Sequence, residues 1–451
     1  MEIDESKTDT YSVKKLLYAF LFAAIIFFIS ITFLELKQSF FISSVVLIIF
    51  LWSNQGLPLG IVSLLPIVFF PSLDILPLKD VTVNYAHPVI FLFLGGFLMA
   101  IAVEKTDLHR SIANFLLSIF PSTPTGLIYS VMIASAFLSS LLSNTTIALM
   151  LYPVVLLLND DKEMKIRLLL ATAYGASIGG ILTPVGTPPN LILLGFLESN
   201  SVSAPSFVEW MVLMFPVVIP MLAIVPLYLS WGIHKIPVIK KENLRKPLTP
   251  RQKKLALYLS TLFLLLIANA KIEPHYNGLG LNEKLLILIY GLMLFLPGMN
   301  FLKWEDTKKI PFEILYLFGA GFSIASAFLE TDMASVIISQ IRGLDAVHPF
   351  LLLLFSAAAA SFITEVTSNT AFISFALPLF YEISRSFGLD ESLLLVITVS
   401  ASYAFMLPVA TPPNAIIMSG GLVSFQKMAR TGFVINILGI LIVSFVSYFI
   451  W

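Results

Sequence analysis

The sequence contains no cysteine, and only 12% of its 451 residues are charged, about half the share typical of soluble domains. Without cysteine, disulfides, cysteine nucleophiles and zinc sites with cysteine ligands are excluded. Lys plus Arg and Asp plus Glu number 27 each, so no excess of positive charge favours a nucleic-acid partner. The five histidines are scattered and form no His-Glu-x-x-His pair. The composition therefore argues against a soluble enzyme, a nucleic-acid-binding protein and a metalloenzyme.

Apolar runs are abundant instead, and hydrophobic residues make up 58% of the chain. Many runs approach the roughly 20 residues that a helix needs to cross a membrane, so we predict an all-α polytopic membrane protein. The first run follows two lysines, as in a signal peptide, but it has no small-residue cleavage site and is expected to be retained. The eleven predicted transmembrane helices lie near 16–33, 39–54, 57–71, 88–104, 166–197, 207–231, 255–270, 285–298, 311–329, 391–420 and 431–450.

Two further apolar stretches, 126–158 and 348–383, are too long for one crossing and carry Ser, Asn and Thr at their centres. We interpret each as a re-entrant hairpin that enters and leaves the membrane on the same side. Irregular backbone at membrane depth persists only where protein or a wet cavity satisfies its hydrogen bonds. The polar tips of both hairpins are therefore candidates for a binding site.

The distribution of Lys and Arg predicts the orientation, because cytoplasmic loops carry an excess of these residues. With the N-terminus in the cytoplasm, 21 of the 27 fall inside and 6 outside. This pattern requires eleven crossings and two hairpins that do not cross. The predicted divisions are an N-terminal helix with its cytoplasmic tail, a first repeat, a cytoplasmic linker and a second repeat, at 1–38, 39–233, 234–254 and 255–451.

The two halves of the chain repeat each other at an offset of about 225 residues. Ser143-Asn144-Thr145 is matched by Ser368-Asn369-Thr370, and Thr187-Pro188-Pro189-Asn190 is matched by Thr411-Pro412-Pro413-Asn414. Each repeat contains five predicted crossings, so the second copy enters the membrane from the opposite side. Inverted repeats with interrupted helices are typical of secondary transporters, whose sites lie near the middle of the bilayer.

Each pair of prolines removes backbone donors and is predicted to break its helix. A break leaves carbonyls that suit a cation and a half-helix N-terminus that suits an anion. A single copy is equally explained by a simple proline kink, but two copies paired with two Ser-Asn-Thr tips favour a site. The hydroxyl and amide groups of these tips suit both a carboxylate and a hard cation. No Lys or Arg lies in the tips or breaks, so bound sodium would supply the positive charge beside a dianion.

These motifs resemble those of the divalent anion/sodium symporter family, and the likeness spans roughly 88–420. The resemblance implies a homodimeric elevator-type transporter of the bacterial cytoplasmic membrane that imports a dicarboxylate or tricarboxylate of the succinate, malate or fumarate type with sodium. It also implies substrate contacts from Asn144, Thr145, Thr187, Pro188, Asn369, Thr370, Thr411 and Pro412. The sodium ligands that it implies are Ser139, Ser143, Asn144 and Gly186 in one half, and Thr364, Ser368, Asn369 and Ala410 in the other.

Two alternatives within transport stay open, a sodium-independent dicarboxylate exchanger and a sulfate/sodium symporter. An intramembrane hydrolase would need a nucleophile with its base, or a pair of carboxylates, and the predicted spans contain neither. A channel fits less well, because two breaks around a central site favour alternating access. Glu365 stands beside the second tip where the first half has Ser140. We favour a structural hydrogen-bonding role for it over a proton or cation role.

The predicted topology can be tested by cysteine labelling, because the native chain has no cysteine to react. A Lys241→Cys variant places the probe in the linker, so an impermeant maleimide applied to right-side-out cells should leave it unlabelled. Lys79→Cys, on a segment predicted to lie outside, serves as the positive control. Rapid labelling at position 241 would overturn the orientation and the number of crossings.

Overall fold

The computed structural model describes residues 13–54, 56–233, 236–237, 247–271, 275–336, 347–389 and 391–451. Within these ranges the fold is helical and contains no β-strand. The predicted tail over 1–12 and most of the predicted linker over 234–254 lie outside the described residues.

The first half contains twelve described helices, several of which are short. They are α1 (Val13–Ser30), α2 (Leu36–Asn54), α3 (Leu59–Val62), α4 (Leu65–Ser72), α5 (Leu78–Asn84), α6 (Pro88–Lys105), α7 (Leu108–Ile119), α8 (Pro124–Ser139), α9 (Asn144–Leu156), α10 (Lys162–Gly180), α11 (Pro188–Ser199) and α12 (Phe207–Leu229).

The second half contains eight described α-helices and one 3₁₀ turn (Trp304–Lys309). The helices are α13 (Pro250–Asn269), α14 (Glu283–Met293), α15 (Phe312–Glu330), α16 (Pro349–Thr364), α17 (Asn369–Phe387), α18 (Ser392–Ala401), α19 (Pro412–Ser419) and α20 (Phe425–Phe449). In each half we call the pair joined by the Ser-Asn-Thr turn the hairpin (α8–α9 and α16–α17). The next two helices form the broken helix (α10–α11 and α18–α19).

Six of the described helical segments are long and apolar enough to cross a membrane, so the protein is an integral membrane protein. They are Val13–Ser30, Leu36–Asn54, Leu78–Lys105, Phe207–Leu229, Phe312–Glu330 and Phe425–Phe449. The count of eleven crossings stays a prediction.

Three elements differ from the hydropathy pattern. The predicted span 57–71 divides into α3 and α4, and 285–298 is helical only as far as Met293. The turn after α14 contains Pro297 and Gly298, and Gly298 has φ +90°, a value that favours glycine. The helix α7 was not predicted, because it buries one narrow face (Leu108, Ala113 and Leu117) and a search for long apolar runs misses such a pattern.

The backbone has the same conformation at the turn after α6 and at the turn after α15. Asp107 and Asp332 both adopt left-handed conformations, with φ values of 55° and 53°. The threonine before each donates its hydroxyl to a carbonyl four residues earlier, at 2.9 Å for Thr106 and 2.7 Å for Thr331. Equivalent sequences therefore form the same local structure in both repeats.

The hairpins and broken helices pack against each other both within and between halves. Within the first half α8 lies along α10, where a Cβ at Gly179 would collide with the carbonyl oxygen of Ala136. Within the second half α16 packs against α18 and α20. Between halves α9 packs against α19, and α17 packs against α11. These contacts between the halves bring both hairpin tips and both helix breaks to one place.

Candidate functional site

A cavity of about 320 Å³ lies where the two hairpin tips meet the two helix breaks. This volume is near the lower end of the range for small-molecule sites. All eight residues predicted to contact the substrate line it: Asn144, Thr145, Thr187, Pro188, Asn369, Thr370, Thr411 and Pro412. Of the predicted sodium ligands, Ser143, Gly186, Ser368 and Ala410 also line it, together with the two asparagines, whereas Ser139 and Thr364 are fully buried.

Four helices start at this cavity. Asn144 and Asn369 begin α9 and α17, and Pro188 and Pro412 begin α11 and α19. Each helix N-terminus carries about half a positive charge, so four together are comparable in magnitude to the two negative charges of a dicarboxylate. No Lys or Arg lines the cavity among the described residues, and Glu313 in the first turn of α15 is its one ionisable lining residue there. The backbone therefore supplies the positive potential.

Oxygen atoms crowd together at the first tip. The Ser139 hydroxyl donates to Oδ1 of Asn144 at 2.5 Å. A Cβ at Gly186 would collide with the carbonyl oxygen of Gly180 and lie 3.1 Å from that of Ser139. Carbonyl, amide and hydroxyl oxygens are the ligands that hard cations prefer. The groups at this tip are therefore chemically suited to sodium.

The second tip has the same backbone but a different hydrogen-bond pattern. The Thr364 hydroxyl turns back to the carbonyl of Ala360 at 2.8 Å, so it does not reach Asn369. Oδ1 of Asn369 is buried and has no hydrogen-bond partner among the described residues. An unsatisfied buried acceptor costs about 1–3 kcal/mol, which a bound cation or donor would relieve.

Two asparagines to which the sequence analysis gave no role hold the breaks together. Nδ2 of Asn190 donates to the carbonyls of Gly180 at 3.2 Å and Thr183 at 2.8 Å. Nδ2 of Asn414 donates to the carbonyls of Ala404 at 3.1 Å and Leu407 at 3.0 Å. Each amide thus satisfies carbonyls that the interrupted helix leaves free. The signal was present in the sequence, because both halves carry Asn after the two prolines.

Glu365 links the second hairpin to the second helix break through hydrogen bonds. This geometry agrees with the structural role favoured from the sequence. Its carboxylate accepts the backbone N–H groups of Met406 at 2.9 Å and Leu407 at 2.8 Å. Nδ2 of Asn436 on α20 donates to the same carboxylate at 2.7 Å. The first half uses a neutral link instead, in which the Thr183 hydroxyl donates to the carbonyl of Ser140 at 2.5 Å.

Comparison with known proteins places the chain among transporters. The family model described as "Citrate transporter" matches residues 45–392, which is more than half of the sequence. The chain belongs to this family. The resemblance to the divalent anion/sodium symporters is thereby confirmed, and the protein is a transporter rather than an enzyme.

Two curated relatives are similar to the chain over most of their length. The protein named sodium-dependent dicarboxylate transporter SdcS from Staphylococcus saprophyticus is 31% identical over 432 residues, covering 88% of this chain and 83% of that protein. SdcS from Staphylococcus aureus is 30% identical with the same coverage.

Two solved structures share the fold of this transporter at low sequence identity. The YdaH transporter of Alcanivorax borkumensis matches with a TM-score of 0.59 and 14% identity, covering 92% of this chain and 98% of that one. MtrF of Neisseria gonorrhoeae matches with a TM-score of 0.56 and 12% identity, covering 91% and 95%.

We predict that Glu365→Gln destabilises the protein without changing the ion dependence of transport. One amide NH₂ group would face the backbone donors in place of a carboxylate oxygen, leaving a buried N–H unpaired at a cost of about 1–3 kcal/mol. Thermal unfolding of the purified protein measures this effect. Glu330→Gln is the matched control, because Glu330 is exposed and pairs with Lys37 at the surface, at 3.5 Å. Unaltered unfolding combined with a changed ion dependence would instead assign Glu365 to cation binding.

Proposed function

We propose that this transporter imports a small dicarboxylate of the succinate, malate or fumarate type together with sodium ions. The observation that carries the proposal is the convergence of four helix N-termini on a cavity whose described lining residues include no lysine or arginine. The sodium-dependent dicarboxylate transporters to which the chain is similar support the choice of substrate class and of ion.

The twofold arrangement of the cavity suits a ligand with two carboxylates. One carboxylate would lie at Asn144 and Thr145, and the other at Asn369 and Thr370. The N-terminal ends of α11 and α19 would close around the ligand through Thr187, Pro188, Thr411 and Pro412. The hydroxyls of Thr187 and Thr411 make no helix-capping bond. In the part of the chain that the structure describes, Oγ1 of Thr411 is buried without a partner. These hydroxyls therefore remain available to an anion.

Sodium would occupy one position at each tip. In the first half the ligands would come from Ser139, Ser143, Asn144 and Gly186, and in the second half from Thr364, Ser368, Asn369 and Ala410. The change from Gly186 to Ala410 is acceptable, since only the carbonyl would ligate. Two cations beside a dianion would reduce the large cost of holding its charge in a cavity of low dielectric constant.

The position of the cavity supports an inward-facing state. It contacts the first turns of α15, through Glu313, Ile314 and Leu317, and the part of α6 from Phe93 to Ala100. The first turns of α15 lie toward the predicted cytoplasmic side, and residues 93–100 lie in the middle of α6.

Contacts on the opposite, predicted outer side support the same state. There Lys284 of α14 pairs with Glu198 of α11 at 2.5 Å, and the Phe207 N–H donates to Glu283 at 2.7 Å. In an elevator mechanism the Lys284–Glu198 pair would separate when the hairpins and broken helices carry the site outward. We extend the proposal to a homodimer with eleven crossings and a cytoplasmic N-terminus.

We predict that Asn144→Ala and Asn369→Ala each abolish uptake of succinate by proteoliposomes. Each removes an amide that lines the cavity at the start of a helix. The control is Asn114→Ala on α7, which lies outside the cavity and should transport normally. Normal uptake by either tip variant, with the protein folded and inserted, would refute the site assignment.

The role of the tip serines can be separated from helix capping by comparing two substitutions. Ser143 and Ser368 accept the N–H groups of Thr146 at 3.2 Å and Ala371 at 3.4 Å. Replacement by Ala loses about 1 kcal/mol of capping, whereas Gly loses only a few tenths. If the hydroxyls ligate sodium, both substitutions should raise the sodium concentration for half-maximal uptake by similar factors.

The same assay distinguishes ion ligands from substrate ligands. Thr145→Ala and Thr370→Ala should weaken substrate binding more than sodium binding, because their hydroxyls would face the anion. Sodium and substrate should also strengthen each other's binding by equal factors. Undiminished uptake in choline, with obligatory release of an internal dicarboxylate, would reject sodium coupling in favour of the exchanger.

A further inference from the structure

A second polar cavity lies apart from the transport site, where the end of α6 meets the start of α13 and the turn after α14. Its volume is about 720 Å³. Four of its eight lining residues are basic, and among the described residues no carboxylate lines it. The lining consists of Lys105, Pro250, Arg251, Lys254, Met299, Asn300, Phe301 and Lys303. The cavity is therefore strongly positive, in contrast to the site between the hairpins.

One of the four positive charges is neutralised by a neighbouring acid. Lys105 pairs with Asp306 at 2.5 Å, and Asp306 also accepts the Lys303 N–H at 2.6 Å. Burial opposes ionisation of Asp306, but these hydrogen bonds outweigh it and lower the pKa of that carboxyl. Asp306 thus stays ionised and compensates Lys105, which leaves the side chains of Arg251, Lys254 and Lys303 to set the charge of the cavity.

Two of these side chains lie beside the same aromatic ring although they carry like charge. Arg251 donates to the carbonyls of Asn300 at 3.2 Å and Phe301 at 3.4 Å, and Lys254 donates to that of Gly298. Both lie over the Phe301 ring, with the Arg251 guanidinium carbon 5.9 Å and the Lys254 Nζ 6.0 Å from its centroid. Carbonyl capping accounts for their positions, but it uses only part of their donors. A bound anion would relieve the repulsion between them.

The start of α13 adds to the positive potential. Its first turn contains no acidic residue, although acids are favoured at a helix N-terminus and bases are not. The proline and arginine that open the helix both line the cavity. The positive end of a 20-residue helix and its basic side chains therefore face the same space.

The helices that continue from this cavity present apolar surface. On α13, Leu257 is 69% exposed and Leu264 is 63% exposed. Leu292 at the end of α14 and Leu296 in the turn after it are also exposed. Basic pockets between transmembrane helices on the cytoplasmic side are suited to anionic lipid headgroups. A soluble anion would make no use of the apolar helix faces, whereas acyl chains would cover them.

We propose that this cavity binds the headgroup of an anionic phospholipid in the cytoplasmic leaflet, with its acyl chains along α13 and α14. The phosphate would contact Arg251, Lys254 and Lys303. Because these residues come from α13 and from the turn after α14, the lipid would link two elements beside the end of α6. This site is independent of the substrate proposed above.

The test uses the full-length purified protein titrated with phosphatidylglycerol or phosphatidylcholine and examined by native mass spectrometry. The double variant Arg251→Gln/Lys254→Gln should bind phosphatidylglycerol about 30-fold more weakly, as expected for two lost charges. The control Lys162→Gln/Lys308→Gln removes the same charge from exposed positions outside the cavity and should bind like the wild type. Equal weakening in both double variants would overturn the proposal.

A single variant tests the site even if the double variant unfolds because it loses the hydrogen bonds of Arg251 and Lys254 to backbone carbonyls. Lys303→Gln removes one exposed charge and should weaken phosphatidylglycerol binding about fivefold with unchanged thermal unfolding. Unaltered affinity in Lys303→Gln would contradict the site. Glycerol 1-phosphate distinguishes a lipid phosphate from a soluble one. At millimolar concentration it should not displace phosphatidylglycerol from a lipid site. Competition by glycerol 1-phosphate as effective as that of the lipid would identify a soluble anion and reject the phospholipid.

Discussion

The site depends on one constraint, that a helix interrupted at membrane depth must find partners for its freed backbone groups. Asn190 and Asn414 bond the free carbonyls of the two breaks. Glu365 accepts two backbone N–H groups at the second break. With these needs met inside the protein, the remaining helix ends face the cavity and are available to ligands. Structural support and the proposed ligand contacts thus come from different groups of the same short segments.

A cavity charged by helix ends behaves differently from one charged by lysine or arginine. The dipole ends are fixed in place, so little side-chain entropy is lost when an anion binds. Their combined positive charge roughly balances the charge of a dianion but does not exceed it. Cations that bind beside the anion then improve its affinity, which gives thermodynamic coupling between the two ligands. A permanent arginine in the same place would weaken the need for the cation.

Much of this arrangement follows from the sequence, because the halves repeat. Matching Ser-Asn-Thr and Thr-Pro-Pro-Asn stretches were sufficient to predict that residues such as Asn144 and Asn369 share a site, and the structure places them around one cavity. Hydropathy did not reveal α7 or the division into α3 and α4. It measures the average polarity of a stretch and does not show where a helix ends or changes direction. The bond from Asn436 to Glu365 joins residues 71 apart, and no local pattern predicts such a contact.

The lining of the transport cavity has a consequence for acidity. Apart from Glu313, its described lining residues are amides, hydroxyls, aliphatic groups and aromatic rings, none of which changes charge near neutral pH. Helix ends do not titrate either. A dicarboxylate dianion that takes up one proton loses half of its negative charge, while the potential of the surrounding helix ends stays the same. Discrimination between dianion and monoanion in this cavity therefore follows the acid dissociation of the ligand itself.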